Sequence, residues 1–334
     1  MPNEIIANRA PKKRLEYLDY CKVLAIFLVT VAHCAQQISG SKFPEMVFSK
    51  DSFISVNMAV FMIASGFVMN IDKMRNTSII EFFLSKAIRL LFPMTAWYIV
   101  MCMVTSQRPR FTIYWSLYWY LGAMFVCLLT IKILADYISN TLLVCFLSII
   151  VLSCIPMISF ERSCYMIPFL WVGFYLRLYN KYVNKSFAFL LLFVFSILYY
   201  FWDIKYSIYM SPFHIWDVSY NSVFALIFRF LIGVVGGFLI ISSSKILIEL
   251  KRFDWMRKLA KLGPYTLGFY TMSFVLNAMI ARVLWHFNYF ITTPGLLDIV
   301  SIMVTIPMIY VMYRFQLFAK RSKWLSLFFL GERL

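Results

Sequence analysis

The chain has 334 residues, 62% of them hydrophobic and only 14% charged, a balance far from that of soluble domains. Its formal net charge of +17 raises nucleic acid as a partner, but the cations lie between apolar runs and form no single patch, which excludes that class. Ten apolar runs follow one another at about 23–39, 52–71, 87–105, 113–134, 140–160, 165–179, 186–204, 219–243, 263–286 and 295–315. About 20 apolar residues suffice for a helix to cross a bilayer. Backbone polar groups in lipid must be satisfied within their own segment, and the runs lack the alternation of barrel strands. The expected fold is therefore an all-α polytopic membrane protein of about ten transmembrane helices. The widest gap, about 244–262, leaves no room for a soluble domain. The expected organisation is an N-terminal segment 1–22, one transmembrane domain 23–315 and a tail 316–334.

Orientation follows from the cations. With Lys12-Lys13-Arg14 on the cytosolic side, 24 of the 32 Lys and Arg residues fall in cytosolic segments. Six are external, namely Lys42, Lys50, Arg108, Arg110, Arg162 and Lys205, while Arg229 and Arg282 lie inside spans. This positive-inside bias puts both termini in the cytosol, and the same charge attracts anionic membrane lipid. The first run leads into Gln36-Gln37-Ile-Ser, without a small-residue cleavage site, so no cleavable signal peptide is expected. The location implied is the cytoplasmic (inner) membrane, multi-pass.

Seven cysteines are present, and none forms a Cys-x-x-Cys pair. Most fall in spans, where cysteine acts as a small apolar residue. Cys154 and Cys164 flank one outer loop, and their pairing is left open. The three histidines, His33, His214 and His286, are scattered, so no metal site is expected. His214 and His286 fall in external loops and read as surface residues.

In chain order, the first span carries His33 in its middle, and an ionisable residue at membrane depth marks a functional site. Asp19, Lys22, His33 and Gln37 share one helical stripe, and Lys22 lies roughly 16 Å along the axis from His33. A histidine in such a seam either bonds to a neighbouring helix or acts as a general base towards a hydroxyl or thiol. Ser65-Gly66 in the second span reads first as small-residue packing. Lys86-Ala-Ile-Arg89 opens the third span with two cations on one face. They serve as positive-inside anchors or as holders of a phosphate-bearing ligand from the cytosol. Pro93, one turn later, is expected to kink that helix. Gly233, Gly236 and Gly237 in the eighth span allow close helix packing, and no strand precedes them to make a phosphate loop. Arg229 and Arg282 need partners in the membrane, either structural carbonyl or acid contacts or a substrate. Trp97, Trp115, Trp119, Trp202, Trp216 and Trp285 lie near span ends and read mostly as interfacial belts. The Pro-bearing spans (Pro93, Pro168, Pro264, Pro307) do not fall in matching halves, as broken-helix transporters would require.

Several of these elements together resemble the acyltransferase-3 family of integral membrane O-acyltransferases. Leu18-Asp19-Tyr-Cys-Lys22, ten residues and then His33 are similar to the family's first-helix pattern of Leu-Asp-x-x-Arg and a later His. Phe61-Met-Ile-Ala-Ser65-Gly66-Phe67, Lys86-x-x-Arg89 with Pro93, Trp119-Tyr120-Leu121, Phe169-Leu-Trp-Val-Gly173-Phe and Leu262-Gly263-Pro-Tyr-Thr266-Leu-Gly-Phe-Tyr270 match later motifs in order. Lys22 and Lys86 stand where the family has arginine, and Ser273 stands where it often has a second histidine. The resemblance implies transfer of an acyl group, acetyl above all, from cytosolic acyl-CoA to a hydroxyl of a glycan or lipid-linked sugar. His33 and Asp19 would then be catalytic, and Lys22, Lys86 and Arg89 would bind acetyl-CoA or another acyl-CoA donor. Ser65, Arg229 and Tyr270 would be substrate contacts, with no metal involved. A rival reading, a flippase or transporter of a glycan precursor or acyl donor, uses the same polar seam without releasing CoA. Homo-oligomerisation is left open.

Overall fold

The computed structural model describes residues 15–39, 56–154, 161–179, 185–207, 218–250, 253–285 and 293–332. Among these residues the chain is helical and has no strand. The helices are α1 (Glu16–Ser39), α2 (Asn57–Val68), α3 (Ile71–Arg75), α4 (Ile79–Lys86), α5 (Phe92–Thr105), α6 (Phe111–Leu117), α7 (Trp119–Tyr137) and α8 (Thr141–Ser153). They continue as α9 (Glu161–Tyr179), α10 (Lys185–Tyr200), α11 (Tyr220–Glu249), α12 (Asp254–Ala260), α13 (Thr266–Trp285), α14 (Pro294–Ala319) and α15 (Lys323–Leu325). The described parts of the ten apolar runs are mainly helical: the fourth run divides between α6 and α7, and parts of the second, fifth and ninth lie outside the described residues. Six stretches are long and apolar enough to cross a bilayer: Glu16–Ser39, Ile79–Thr105, Trp119–Tyr137, Tyr220–Glu249, Asp254–Val283 and Pro294–Ala319. Asn57–Val68, Thr141–Ser153 and Lys185–Tyr200 are shorter apolar helices. The protein is thus a multi-pass all-α membrane protein; among the described residues six helical stretches qualify as candidate crossings by length and composition, against the ten expected from the sequence.

α1 sits in the middle of the bundle and packs against α2, α11, α12, α13 and α14. Where helices meet most closely, glycines make the approach. A Cβ on Gly66 of α2 would collide with the backbone carbonyl of Leu170 in α9, and one on Gly173 of α9 would collide with that of Ile63 in α2. The two backbones are interlocked at Ser65-Gly66, as the packing reading of that pair expects. Gly233, Gly236 and Gly237 of α11 take up Phe169, Val56 and Ile63 in the same way. Small residues serve membrane helices because lipid supplies no hydrophobic drive for helix association and close van der Waals contact must do so.

α4 runs into α5 through a π turn over Ala87–Leu91 that carries Arg89. Pro93 explains it: proline offers no N–H to the carbonyl four residues back, here that of Arg89. The expected kink is therefore an insertion of helical slack, a feature that recurs at functional sites. The π turn packs against a second π segment, Ser326–Leu330. Gly331 ends that segment at φ 65, and a Cβ there would sit 2.6 Å from the Ile88 carbonyl oxygen. The Trp97 indole donates to the Phe329 carbonyl at 3.2 Å, and Lys320 pairs with Glu332 at 3.0 Å.

The belt reading of the tryptophans is corrected here. Trp97, Trp115 and Trp119 are buried in the bundle. They fill helix contacts: Trp97 stacks edge-on with Phe315 and Phe329, and Trp115 closes over Gly122. Cys154 and Cys164 are both free thiols, so the pairing left open between them does not form. His214, His286 and Trp216 lie outside the described residues, as does the side chain of Trp285.

Candidate active site

Two cavities in the bundle divide between them most of the residues singled out as candidate site residues in the sequence. The smaller, about 600 Å³, is basic. Asp19, Lys22, Ser65, Lys86, Arg89 and Tyr270 all line it, together with Lys73 and Glu81. Four cations against two acids leave it net positive. α1 contributes Asp19 and Lys22, which pair at 3.8 Å one turn apart. The π turn brings Arg89 to the same space as Lys86, whose ammonium lies 5.2 Å from the centre of the Phe82 ring. Lys73 comes from the short helix α3, where Asn70 caps the helix by accepting from the Lys73 amide at 2.9 Å. Its sequence signal was present but ambiguous, since a lysine between two spans reads equally as a topology determinant. The 3₁₀ turn Gly263–Tyr265 forms the far wall. A Cβ on Gly263 would lie 2.7 Å from the Asp19 carboxyl carbon, so the glycine allows this turn to seat directly on Asp19. The Thr266 hydroxyl donates to the Gly263 carbonyl at 2.9 Å and fixes the turn.

The larger cavity, about 1470 Å³, holds His33 and Arg229. Gln36, Gln37, Asn57, Arg162 and Tyr165 share its lining. Gln36 stands one turn from His33 on α1. Arg229 donates through Nη1 to the Tyr206 carbonyl at 3.1 Å and lies 4.3 Å from the centre of the Tyr165 ring. Arg162 stands over the Trp119 ring at 5.2 Å. Arg282, the other arginine within a span, donates to the Val104 carbonyl at 2.6 Å, which answers its need for a partner. Arg162 was counted only as an external charge in the sequence. Nothing local marks it as a cavity residue, because α7 and α11 complete the cavity from distant parts of the chain.

One layer of aromatic rings separates the cavities. His33 meets Phe274 at 4.8 Å between ring centres, and Phe274 meets Tyr270 at 5.4 Å. Tyr270 meets Tyr120 at 5.6 Å, and Tyr120 meets Phe61 at 5.7 Å. Phe274 faces the larger cavity, whereas Tyr270, Tyr120 and Phe61 face the basic one. Tyr270 and Phe274 are one turn apart on α13, so the wall is a single helical turn thick. Tyr118 backs it at 5.2 Å from Phe274 and anchors its hydroxyl on the Thr271 carbonyl at 3.2 Å. Tyr120 shares the lining of the basic cavity with Ser65. Ser273, on the same turn of α13, is fully buried and donates to the Tyr270 carbonyl at 2.8 Å.

The grouping of Asp19 with His33 needs adjustment. The two stand fourteen positions apart on α1, roughly 21 Å along its axis. Asp19 faces the basic cavity and pairs with Lys22, while His33 faces the other. The polar seam of α1 is real as a stripe, but it serves two compartments in turn. Among the described residues no group of three or more His, Cys, Asp or Glu side chains forms a metal-binding cluster.

The geometry is that of a helical membrane protein with a basic compartment and a histidine compartment meeting across one ring layer. A family model described as an acyltransferase domain matches residues 15–314, and the chain belongs to the acyltransferase-3 family. Comparison with curated proteins and with solved structures returned no match.

Proposed function

We propose that this membrane acyltransferase moves an acyl group, acetyl above all, from cytosolic acyl-CoA to a hydroxyl of a cell-surface glycan or lipid-linked sugar. The observation that carries the reading is the ring layer with cations on one side and an imidazole on the other. In this reading the chain crosses the cytoplasmic membrane ten times, and the basic cavity opens to the cytosol. Lys86, Arg89, Lys22 and Lys73 hold the donor's phosphates there. Asp19 is a positioning residue: it sets Lys22 and braces the turn at Gly263. The thioester end of the donor passes the layer of Phe61, Tyr120, Tyr270 and Phe274 to reach His33. His33 takes the proton from the acceptor hydroxyl as its oxygen bonds to the acyl carbon. The carbon–sulfur bond breaks, and the proton passes from the imidazolium to the departing thiolate, which restores the base. Gln36 holds the imidazole for this cycle. The ring layer keeps bulk water from the thioester, so transfer to sugar outruns hydrolysis.

The test is His33→Ala in purified protein supplied with acetyl-CoA and acceptor. Loss of a general base lowers rates by about 10²–10⁴-fold. The expected outcome is a fall of that size in acceptor-dependent CoA release, with CoA still bound. Transfer at the parent rate in a correctly inserted variant would refute the assignment. A flippase would release no CoA in either form.

A further inference from the structure

We infer that the acceptor is a lipid-linked sugar and that it enters the His33 cavity sideways, out of the bilayer, past the exposed edge of α11. The inference rests on the transferase reading and narrows its acceptor to one of the two classes named there.

One face of α11 is packed: Ala225, Phe228, Arg229, Ile232, Gly233 and Gly236 are buried against the bundle. The other carries Phe224, Ile227 and Leu231, which are 44%, 54% and 45% exposed. At helical spacing these three lie within about 60° of one another and form a single apolar stripe. On a membrane helix such a stripe faces lipid, whose tails are as apolar as leucine. Ile227 and Leu231 also line the cavity of His33. The same two side chains thus border both the lipid and the site, and at this edge the cavity reaches the lipid-facing side of the bundle. Inward from the edge the lining stays apolar, with Leu226 and Phe230 of α11 and with Phe169 of α9, whose ring centre is 5.3 Å from that of Phe230. Around His33 it turns polar, with Gln36 and Gln37 of α1 and Asn57 of α2. The cavity is therefore amphiphilic across its width. A glycan arriving through water has no use for a hydrocarbon edge, whereas a sugar on a hydrocarbon chain uses both sides.

The edge also lies at the right level. α1 and α11 run in opposite directions, and the Cys21 thiol donates to the Ile240 carbonyl at 3.8 Å. Twelve positions on from Cys21 is His33, and twelve back from Ile240 is Phe228. Ile227 and Leu231 therefore stand at about the height of the imidazole. A chain lying in the bilayer beside them holds its sugar at the base without being lifted out of lipid. The volume, about 1470 Å³, exceeds the roughly 300–1,000 Å³ of ordinary small-molecule sites, which leaves room for a sugar together with the first part of its tail.

The test uses the full chain in nanodiscs and has two arms. For binding, the probe is geranylgeranyl-phosphate-linked glucose with a photoreactive diazirine in its tail, and the labelled peptides are read by mass analysis without donor. For transfer, acetyl-CoA is supplied with lipid-linked saccharides extracted from the producing cells, or with the same saccharides released from their lipid by mild acid. Label should concentrate on the peptide that holds Phe224–Leu231. The lipid-linked form should exceed the released form at least about tenfold in kcat/KM, equivalent to about 1.4 kcal/mol. Ile227→Trp and Leu231→Trp narrow the edge with apolar bulk at exposed positions, and each should lower both the labelling and that ratio several-fold. Ile306→Trp, at a 60% exposed position of α14 that does not line the cavity, should leave both unchanged. Labelling of the parent protein decides the route even where a tryptophan variant fails to fold. Label spread evenly over the exposed helices, released saccharide acylated as fast as lipid-linked, or labelling and ratio unmoved in both edge variants overturns the inference. Transfer to the released form alone sinks this inference and keeps the transferase reading. Label at α11 without transfer to either form sinks the transferase reading and leaves the entry route standing.

Discussion

Gly263 shows how a single missing side chain can hold a site together. Its Cα faces Asp19 so closely that any Cβ would overlap the carboxyl group. Gly263→Ala must push the 3₁₀ turn off α1 or swing Asp19 away from Lys22. Overpacking of this kind costs about 1–3 kcal/mol. We expect a lower melting temperature in detergent together with a raised KM for the acyl donor, while the KM for acceptor changes less. An unchanged donor KM, or a rise in both KM values by the same factor, would show that the glycine does not act through the basic cavity. His33, Lys86 and Arg89 were legible in the sequence because an ionisable residue stands out against an apolar run. Arg162 and Lys73 were not, since a cation beside a span looks the same whether it marks topology or lines a cavity. Asp19 was visible as part of the seam, but the compartment it serves depends on the turn at Gly263, some 240 positions away in the sequence.

The third membrane helix is the element most altered from a plain span. Pro93 withholds an N–H from the Arg89 carbonyl, and the helix responds with the π turn Ala87–Leu91. That extra residue in the turn changes which way Arg89 faces relative to the helix beyond it. Pro93→Ala restores the missing donor and favours a regular helix. The expected result is unchanged or slightly higher thermal stability with several-fold weaker binding of CoA, measured by calorimetry; tighter binding would contradict a functional π turn. A kink at Pro93 could be anticipated from the proline alone. The missing donor does not tell which helical form answers it, nor that the turn packs against the segment Ser326–Leu330, which only tertiary structure brings there. The glycine pairs follow the same logic. Gly66 read as a packing residue by its type, but its match to Gly173 across α2 and α9 is a fact of three dimensions.

For the whole molecule, apolar run length told where helices would lie, and the described parts of the runs are mainly helical, the fourth run being divided between α6 and α7. The positive-inside count then gives a direction that a direct experiment checks. In a chain with Cys154 replaced by serine, Gln107→Cys and Ser139→Cys place thiols at exposed positions flanking the fourth span on its two sides. A membrane-impermeant maleimide added outside intact cells should label the first and spare the second; labelling of both, or the reverse, would overturn the orientation. The clasp between the two π segments also has a consequence in time. Gly331 lies against the backbone of Ile88 and Arg89, so the later segment backs the turn that carries Arg89. About 240 residues separate the two, and synthesis at about 5–20 residues per second puts roughly 12–50 s between them. The third helix therefore enters the membrane long before its support exists. Until the later segment arrives, the basic cavity of the nascent protein is unfinished, by order of manufacture.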